Sequence, residues 1–207
     1  MTFEAVNLRL KANASQTKRQ ASAATPSPLA GKLSDQTGDR LTPSHAVRRG
    51  KRHRYYVSRR LIAESGKPDV SGWRLPAATL EGAVAQLIID ALEGPSAAQG
   101  LIDDATAETL TKLPSAAQLL CAALSGPHRG PTLQAIVDSG RIEPGRLSVA
   151  LCPTAMAGRL GIPLAHMRAG TLSLVGAFTL RPRGVEAKLV LANPPPALDR
   201  TLVKTVA

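Results

Sequence analysis

The chain has 207 residues, of which 43% are apolar, and it carries 26 Lys/Arg against 15 Asp/Glu, a formal net charge of +11. This composition excludes a chain that is disordered throughout, and the length allows one large domain or two small ones. The charge favours an anionic partner. Residues 1–60 hold 13 of the Lys/Arg residues and only three acids, so nearly all the excess positive charge is N-terminal.

Neither a secretory leader nor a membrane span is predicted. Residues 1–20 alternate apolar with polar and lack an early apolar run, and no stretch approaches the length of a span. Cys121 and Cys152 lie in apolar contexts without metal-ligand spacing, so we expect buried thiols in a reducing compartment and no disulfide. These features indicate a cytoplasmic protein with no membrane partner.

The N-terminal part is predicted to be a short helix, a linker and a hairpin. The helix covers Phe3–Leu10, and residues 13–28 are rich in Ser, Ala, Thr, Gln and Pro, a composition typical of a linker. A strand over Leu29–Leu33 leads into a turn at Asp35–Asp39, where Gly38 supplies the positive φ, and Arg40–Thr42 returns.

A strongly basic run follows at Arg48–Arg60, where seven of thirteen residues are Lys or Arg. We interpret it as a loop, begun at Pro43–His45, that feeds a third strand at Tyr55–Ser58. Guanidinium groups bind phosphate through charge-assisted hydrogen bonds, so the run predicts contact with the DNA backbone; a solvated loop is the alternative. The predicted DNA-binding residues are Arg40, Arg48, Arg49, Lys51, Arg52, Arg54, Tyr55, Tyr56, Arg59 and Arg60.

Other roles for this region are less well supported by the residue pattern. Adjacent tyrosines on a strand alternate in direction, so one of Tyr55 and Tyr56 is expected to face inward. His45 and His53 flank the run, but no thiolate or carboxylate set accompanies them, so no metal site is predicted. Ser44, Ser58 and Ser65 each lack a base and an orienting partner, and we predict neither a catalytic residue nor a cofactor.

The remainder is predicted to be helical and then β-structured. Trp73 serves as a hydrophobic anchor, and Pro76 opens a helix that stops near Gly94. Two more helices are expected over roughly 96–112 and 115–125, and a short one over 154–160. From about residue 133 the apolar period becomes two, which predicts antiparallel strands over roughly 147–151, 172–180 and 185–191, ended by the prolines at 194–196.

Three segments in this order, Leu29–Leu33, Thr37–Ala46 and Arg54–Ser58, resemble the zinc β-ribbon of large serine site-specific recombinases. Arg183–Leu191 looks like the strand after the helical region in the same family. The resemblance implies a bacterial, nucleoid-associated protein that binds double-stranded DNA in recombination and integration. The serine that cleaves DNA belongs to an N-terminal resolvase-like domain of that family. Only Phe3–Asn13 resembles the end of the helical recombinase domain that comes next.

The resemblance also implies a ribbon without zinc. Zinc-binding relatives place a Cys-x-x-Cys-Gly where this chain has Ser34–Gly38, and another Cys where it has Ser58. Neutral hydroxyls are poor zinc ligands, so we expect a metal-free ribbon held by packing and hairpin hydrogen bonds. Relatives continue into a helical tail, whereas this chain ends shortly after Asp199, so we expect a fragment truncated at both ends.

The expected fold is therefore α+β, with an N-terminal metal-free β-ribbon, a helical middle and a C-terminal antiparallel sheet. Two functions remain open: a non-catalytic DNA-binding fragment, or a structural module that docks onto a recombinase or onto a second copy of itself. The predicted segments are the end of the recombinase helical domain with a linker (1–28), the ribbon-like module (29–64), a helical segment (65–130), a sheet segment (131–196) and a truncated tail (197–207).

Overall fold

The computed structural model describes residues 27–64, 72–93, 101–102, 106–168, 172–183 and 186–192, and side chains as far as residue 177. The protein belongs to the α+β class, as predicted. The predicted N-terminal helix, most of the linker and the tail at 197–207 lie outside the described residues. No helix among the described residues is long and apolar enough to cross a membrane.

The larger of the two sheets in the described part of the chain has five strands in the order β1-β5-β6-β7-β8. All its neighbouring pairs are antiparallel except β1 with β5, which is parallel. Its strands are β1 (Leu33–Asp35), β5 (Val137–Glu143), β6 (Arg146–Leu151), β7 (Leu172–Arg183) and β8 (Glu186–Ala192).

The smaller sheet has three antiparallel strands in the order β2-β3-β4. They are β2 (Leu41–Arg48), β3 (Lys51–Ser58) and β4 (Arg74–Pro76). The helices are α1 (Arg59–Ala63), α2 (Ala77–Glu93), α3 (Ala107–Ser125), α4 (Arg129–Ile136) and α5 (Pro153–Leu160).

The central helix is α2, and its sequence explains its position. Leu80, Val84 and Ile88 recur at four-residue intervals on one stripe, and all three are buried. The strand β6 shows the corresponding period of two, because Leu147 and Val149 are buried. One continuous core cluster joins both sheets and the helices, with each buried Leu or Ile contributing about 2 kcal/mol relative to an exposed one.

The first strand is not where the sequence predicts it. Residues 29–32 form a turn, and β1 pairs in parallel with β5 instead of forming a hairpin with Arg40–Thr42. Only an isolated bridge between Ser34 and Arg40 joins those two segments, although Gly38 does have a positive φ of 83°. The β5 partner of Leu33 is Gly140, where an added Cβ would lie 2.7 Å from Leu33 Cδ2. The parallel pairing thus depends on a glycine about a hundred residues away.

The helical middle also differs in detail from the prediction. Within the predicted helices over 96–112 and 115–125, residues 107–125 form the single helix α3, which contains Pro114, whereas Ile102 forms an isolated β-bridge with Met167. The side chain of Thr106 accepts a hydrogen bond from Thr109 N and so caps the N-terminus of α3. A proline inside a helix removes one backbone donor but does not necessarily end the helix. Here Leu113 and Ala117, on either side of Pro114, pack into the core and hold the helix together.

Candidate nucleic-acid interface

The basic run is not a loop but most of a β-hairpin. Strands β2 and β3 pair continuously from Leu41 opposite Ser58 to Arg48 opposite Lys51. The two connecting residues, Arg49 and Gly50, have φ values of 51° and 72°. Positive φ at both positions of a two-residue connection is typical of a type I′ turn, whose twist matches the twist of the strands. The prediction of a loop over Pro43–Arg54 is therefore wrong.

The outer part of this hairpin extends beyond the third strand. Strand β4 pairs only with Tyr55–Val57, so among the described residues no third strand accompanies the paired residues 45–54 of β2 and β3. We call residues 45–54 the arm. The arm carries five Lys/Arg and no acid, and its side chains from Val47 to Arg52 are exposed. The described chain thus presents a narrow cationic ribbon, with Arg48, Arg49, Lys51 and Arg52 around its tip.

The arm has two chemically different faces, because residues directly opposite each other in an antiparallel pair lie on the same face. The body face continues the face on which Tyr56 is buried, and we define it by Tyr56 together with the pairs His45–Arg54 and Val47–Arg52. The outward face is defined by Tyr55 and the pairs Ala46–His53 and Arg48–Lys51. As expected, one tyrosine of the pair faces inward and the other does not.

A buried carboxylate on α2 holds the base of the arm. Glu81 is 7% exposed; its Oε1 accepts a hydrogen bond from the Tyr56 hydroxyl at 3.0 Å, and its Oε2 lies 3.2 Å from Nη2 of Arg54. The Tyr56 oxygen also accepts from Leu29 N at 3.1 Å. Burial, reinforced by the Glu81 charge and opposed by the Leu29 N–H, raises the pKa of Tyr56. Tyr56 is therefore a neutral structural donor, and its burial removes it from the predicted DNA-binding set.

A second buried carboxylate, Asp35, links the turn before β2 to the end of β3. Its Oδ1 accepts hydrogen bonds from Thr37 N at 2.9 Å, Thr37 Oγ1 at 2.6 Å and Asp39 N at 3.1 Å. Its Oδ2 accepts from Ser58 Oγ at 2.8 Å and lies 2.7 Å from Nη1 of Arg60. The side chain of Asp35 is fully buried, so these hydrogen bonds and the ion pair with Arg60 take the place of water around its carboxylate.

Two opposing effects act on the pKa of Asp35. Burial raises it, but the hydrogen bonds from Thr37 and Ser58 and the charge of Arg60 together outweigh burial and lower the pKa below its ordinary value. The carboxylate is therefore ionised, and it engages Arg60, one of the predicted DNA-binding residues. Arg60 also lies 3.4 Å from Asp39 Oδ2, so it serves the fold.

The anchor role predicted for Trp73 agrees with its surroundings. Its backbone N–H donates to Ser58 Oγ at 2.9 Å, its indole N–H donates to Gln36 Oε1, and its ring packs against the core. These contacts link the Asp35 network to the segment that leads into β4. Ser58 is consequently a buried structural hydroxyl, with its proton directed at a carboxylate.

The other predicted residues are divided between the two ends of the hairpin. Arg40 and Arg59 are exposed next to each other, since Arg59 N donates to Arg40 O at 2.9 Å, but they lie at the end opposite the tip. Tyr55 is half-buried on the outward face. The predicted set is thus brought together only in part, at the arm itself.

One residue of this surface is absent from the sequence prediction. Arg74 is exposed, pairs with Val57 on the outward face, and places its guanidinium carbon 4.8 Å from the centroid of the Tyr55 ring. Such stacking of a guanidinium on an aromatic ring is a recognised cation–π geometry. The sequence predicts Arg74 at the entrance to a helix, because a three-residue strand ending in proline gives almost no periodic signal.

The histidines of the arm are not arranged as a metal site. His45 belongs to the body face and His53 to the outward face, so their rings cannot converge on one ion. Among the described residues no group of three His, Cys, Asp or Glu side chains could hold a metal ion. Of the serines considered as nucleophiles, Ser65 lies outside the described residues.

No protein-family model matches the chain, and no curated protein and no solved structure matches it. The resemblance of the N-terminal segments and of Arg183–Leu191 to serine recombinases therefore stays a prediction.

Proposed function

We propose that this protein binds the backbone of double-stranded DNA through the arm and does not itself cut DNA. The observation that carries the proposal is the concentration of five Lys/Arg and no acid in a hairpin that projects past its third strand. The major groove of B-DNA, about 12 Å wide, admits a two-stranded β-ribbon. Contacts to phosphate give affinity without sequence preference, so the DNA target is not encoded in these contacts.

We further propose that the chain is the DNA-contacting portion of a serine site-specific recombinase and that its hairpin region is a metal-free ribbon. Support comes from the positions that the zinc-binding relatives fill with cysteine. Two of these positions hold Thr37 and Ser58 here, and Asp35 accepts a hydrogen bond from each hydroxyl, at 2.6 and 2.8 Å. Arg60 completes the charge balance, so a hydrogen-bonded carboxylate joins segments that a metal would otherwise join.

The alternative, a module that docks onto another protein, receives less support. The exposed large apolar side chains on α3 are Leu110 and Leu119, with Leu119 73% exposed. They are nine residues apart, which places them on opposite sides of a helix with about 3.6 residues per turn. They therefore do not form a joint patch, and singly exposed apolar residues are ordinary on protein surfaces.

The proposal is tested by titrating a short labelled duplex with the full chain and following fluorescence anisotropy. Affinity should fall steeply between about 50 mM and about 200 mM salt. An arm-Gln variant, in which Arg48, Arg49, Lys51 and Arg52 are all changed to Gln, should bind at least about tenfold more weakly at the lower salt concentration. Arg159→Gln on α5 is the control and should bind like the parent chain. No binding by the parent chain, or equal binding by the arm-Gln variant, would refute the proposal.

A further inference from the structure

We infer that the DNA duplex lies along the outward face of the arm, with Arg48 and Lys51 at one end of the contact and Arg74 at the other. This inference rests on the proposed function and specifies which side of the arm is used. It adds Arg74 to the interface and removes Arg52 and Arg54 from it.

The base of the body face is covered by the protein itself, whereas Val47 and Arg52 nearer the tip are exposed. At the base of the arm Tyr56 is fully buried on this face, and Arg54 pairs with the Glu81 carboxylate of α2 at 3.2 Å. A rigid duplex approaching this side would meet α2 before it reached the base of the arm. Arg54 is also partly neutralised there, so it has less charge to offer to phosphate.

The outward face carries its cations at its two ends, and at its base Tyr55 is half-buried and Val57 is buried. Arg48 and Lys51 stand opposite each other at the tip, and His53 follows as a further N–H donor. Arg74 lies at the base of the same face, because β4 pairs Arg74 with Val57. In the described chain Arg74 has no carboxylate partner, in contrast to Arg54 and Arg60.

The stacking of Arg74 on Tyr55 prepares it for a phosphate. A guanidinium held flat over an aromatic ring keeps its N–H edge free, and that edge matches phosphate oxygens in a bidentate manner. Tyr55 thus acts as a positioning residue for Arg74. This role, and not the one predicted from the sequence, is the reason to keep Tyr55 in the DNA-binding set. The Arg74–Tyr55 pair supplies an ordered contact, whereas the exposed cations at the tip can adjust to the path of the DNA backbone.

The spacing of the two ends predicts the size of the contact. Six residues separate Lys51 from Val57, which amounts to about 20 Å at roughly 3.3 Å per residue. Phosphates along one strand of B-DNA advance by about 3.4 Å, so the face spans about six base pairs. A duplex laid along the face can therefore touch both ends at once.

The experiment compares Arg48→Ala with Arg52→Ala. Both residues are exposed arginines beside the same turn, they carry the same charge, and they differ in the face they occupy. We expect Arg48→Ala to weaken duplex binding about fivefold and to reduce the slope of log affinity against log salt by about 0.9, whereas Arg52→Ala should stay within about twofold. Equal losses for the two variants would overturn the inference while leaving the proposed function intact.

Arg74 is tested at the other end of the face. Arg74→Gln should also lower affinity about fivefold and reduce the salt slope by about 0.9, and Arg74→Lys should restore the slope. Arg159→Gln, which removes the same charge from α5, is the control. A loss of thermal stability without a change in slope would show that Arg74 only packs on Tyr55, and would overturn its assignment to the interface.

Two further outcomes bear on the proposed function itself and not on the choice of face. If the parent chain binds no duplex, the proposed function itself fails. If a duplex RNA of the same length binds with equal affinity and equal salt slope, the assignment to DNA is overturned, because A-form RNA presents a deep, narrow major groove and a different path of phosphates.

Discussion

The two halves of the β2–β3 hairpin have the same backbone but opposite uses of charge. At the base, Arg54, the last residue of the arm, and Arg60, two residues after β3, lie against the carboxylates of Glu81 and Asp35, so their charge is balanced inside the protein. In the rest of the arm, the cations around the turn are exposed and no acid lies among residues 45–54. The pairing of charges, and not their number, therefore separates the structural network from the proposed binding surface. Changes at the base should therefore alter stability, and changes in the arm should alter binding.

The largest expected effect follows from removing the buried carboxylate at the base. Asp35→Asn preserves the shape of the side chain but leaves Arg60 and the Ser58 hydroxyl facing an uncharged amide. Breaking a buried ion pair on one side costs about 3 kcal/mol of unfolding free energy. Urea denaturation followed by circular dichroism measures it. Asp138→Asn on the exposed side of β5 is the matched control and should change stability by less than about 0.5 kcal/mol.

The same carboxylate predicts a dependence on acid. The pKa of Asp35 is lowered in the folded protein, so the folded state binds the proton less readily than the unfolded chain. Its contribution is fully present above the ordinary pKa of 3.8 and is lost as the pH falls through the lower folded value. Denaturation measured from pH 6 downward (on the order of one-unit steps) should show this loss. Asp35→Asn should flatten the curve, and an unchanged curve would contradict the ionised assignment.

A smaller effect is expected at the second network of the base. Tyr56→Phe removes the hydroxyl that connects Leu29 N to Glu81, and the buried N–H then lacks its acceptor. An unsatisfied buried group of this kind costs about 1–2 kcal/mol. The neighbouring Tyr55→Phe, on the outward face, should cost less than about 0.5 kcal/mol. Similar losses for both tyrosines in thermal denaturation would mean that the two faces are not distinct.

The smallest expected effect belongs to the tip of the arm. Gly50→Ala forces a Cβ into the left-handed region at φ 72° and should cost about 1 kcal/mol. Gly158→Ala, in the middle of α5 and with open space around its Cα, should instead stabilise the protein by about 0.5 kcal/mol through helix propensity. The same substitution thus has opposite signs at the two sites. Destabilisation at both would argue against the positive-φ turn.

Much of the fold could be predicted because its signals are local. The apolar stripe of α2 and the alternation of β6 define those elements directly, and the turn at Gly38 has the predicted backbone conformation. The parallel pairing of β1 with β5 could not be predicted, because it joins residues such as Leu33 and Gly140 that no local pattern relates. Nor could the single helix α3 be predicted, since Pro114 normally indicates a break.

The sequence predicts the basic residues of the candidate site but not the β-hairpin that they form. Polar and charged residues on both faces of residues 44–54 conceal the period of two, so the arm has the composition of a loop. The one local signal was the dipeptide Arg49-Gly50, because glycine in the second position suits a two-residue turn. Arg54 and Arg60 differ from the exposed cations because each has a carboxylate partner, Glu81 and Asp35 respectively. Only the folded structure brings these partners together.

The central claim is that the exposed cations of the arm hold the DNA backbone. The most direct measurement is the slope of log affinity against log salt concentration for the parent chain and for the arm-Gln variant on the same duplex. Each phosphate contact contributes about 0.9 to the slope, so the loss of the contacts from Arg48, Arg49 and Lys51, with Arg52 off the contacting face, should make the slope of the variant shallower by about 2.7. Equal slopes for the two proteins would contradict it, because the cations of the arm would then displace no counterions from DNA.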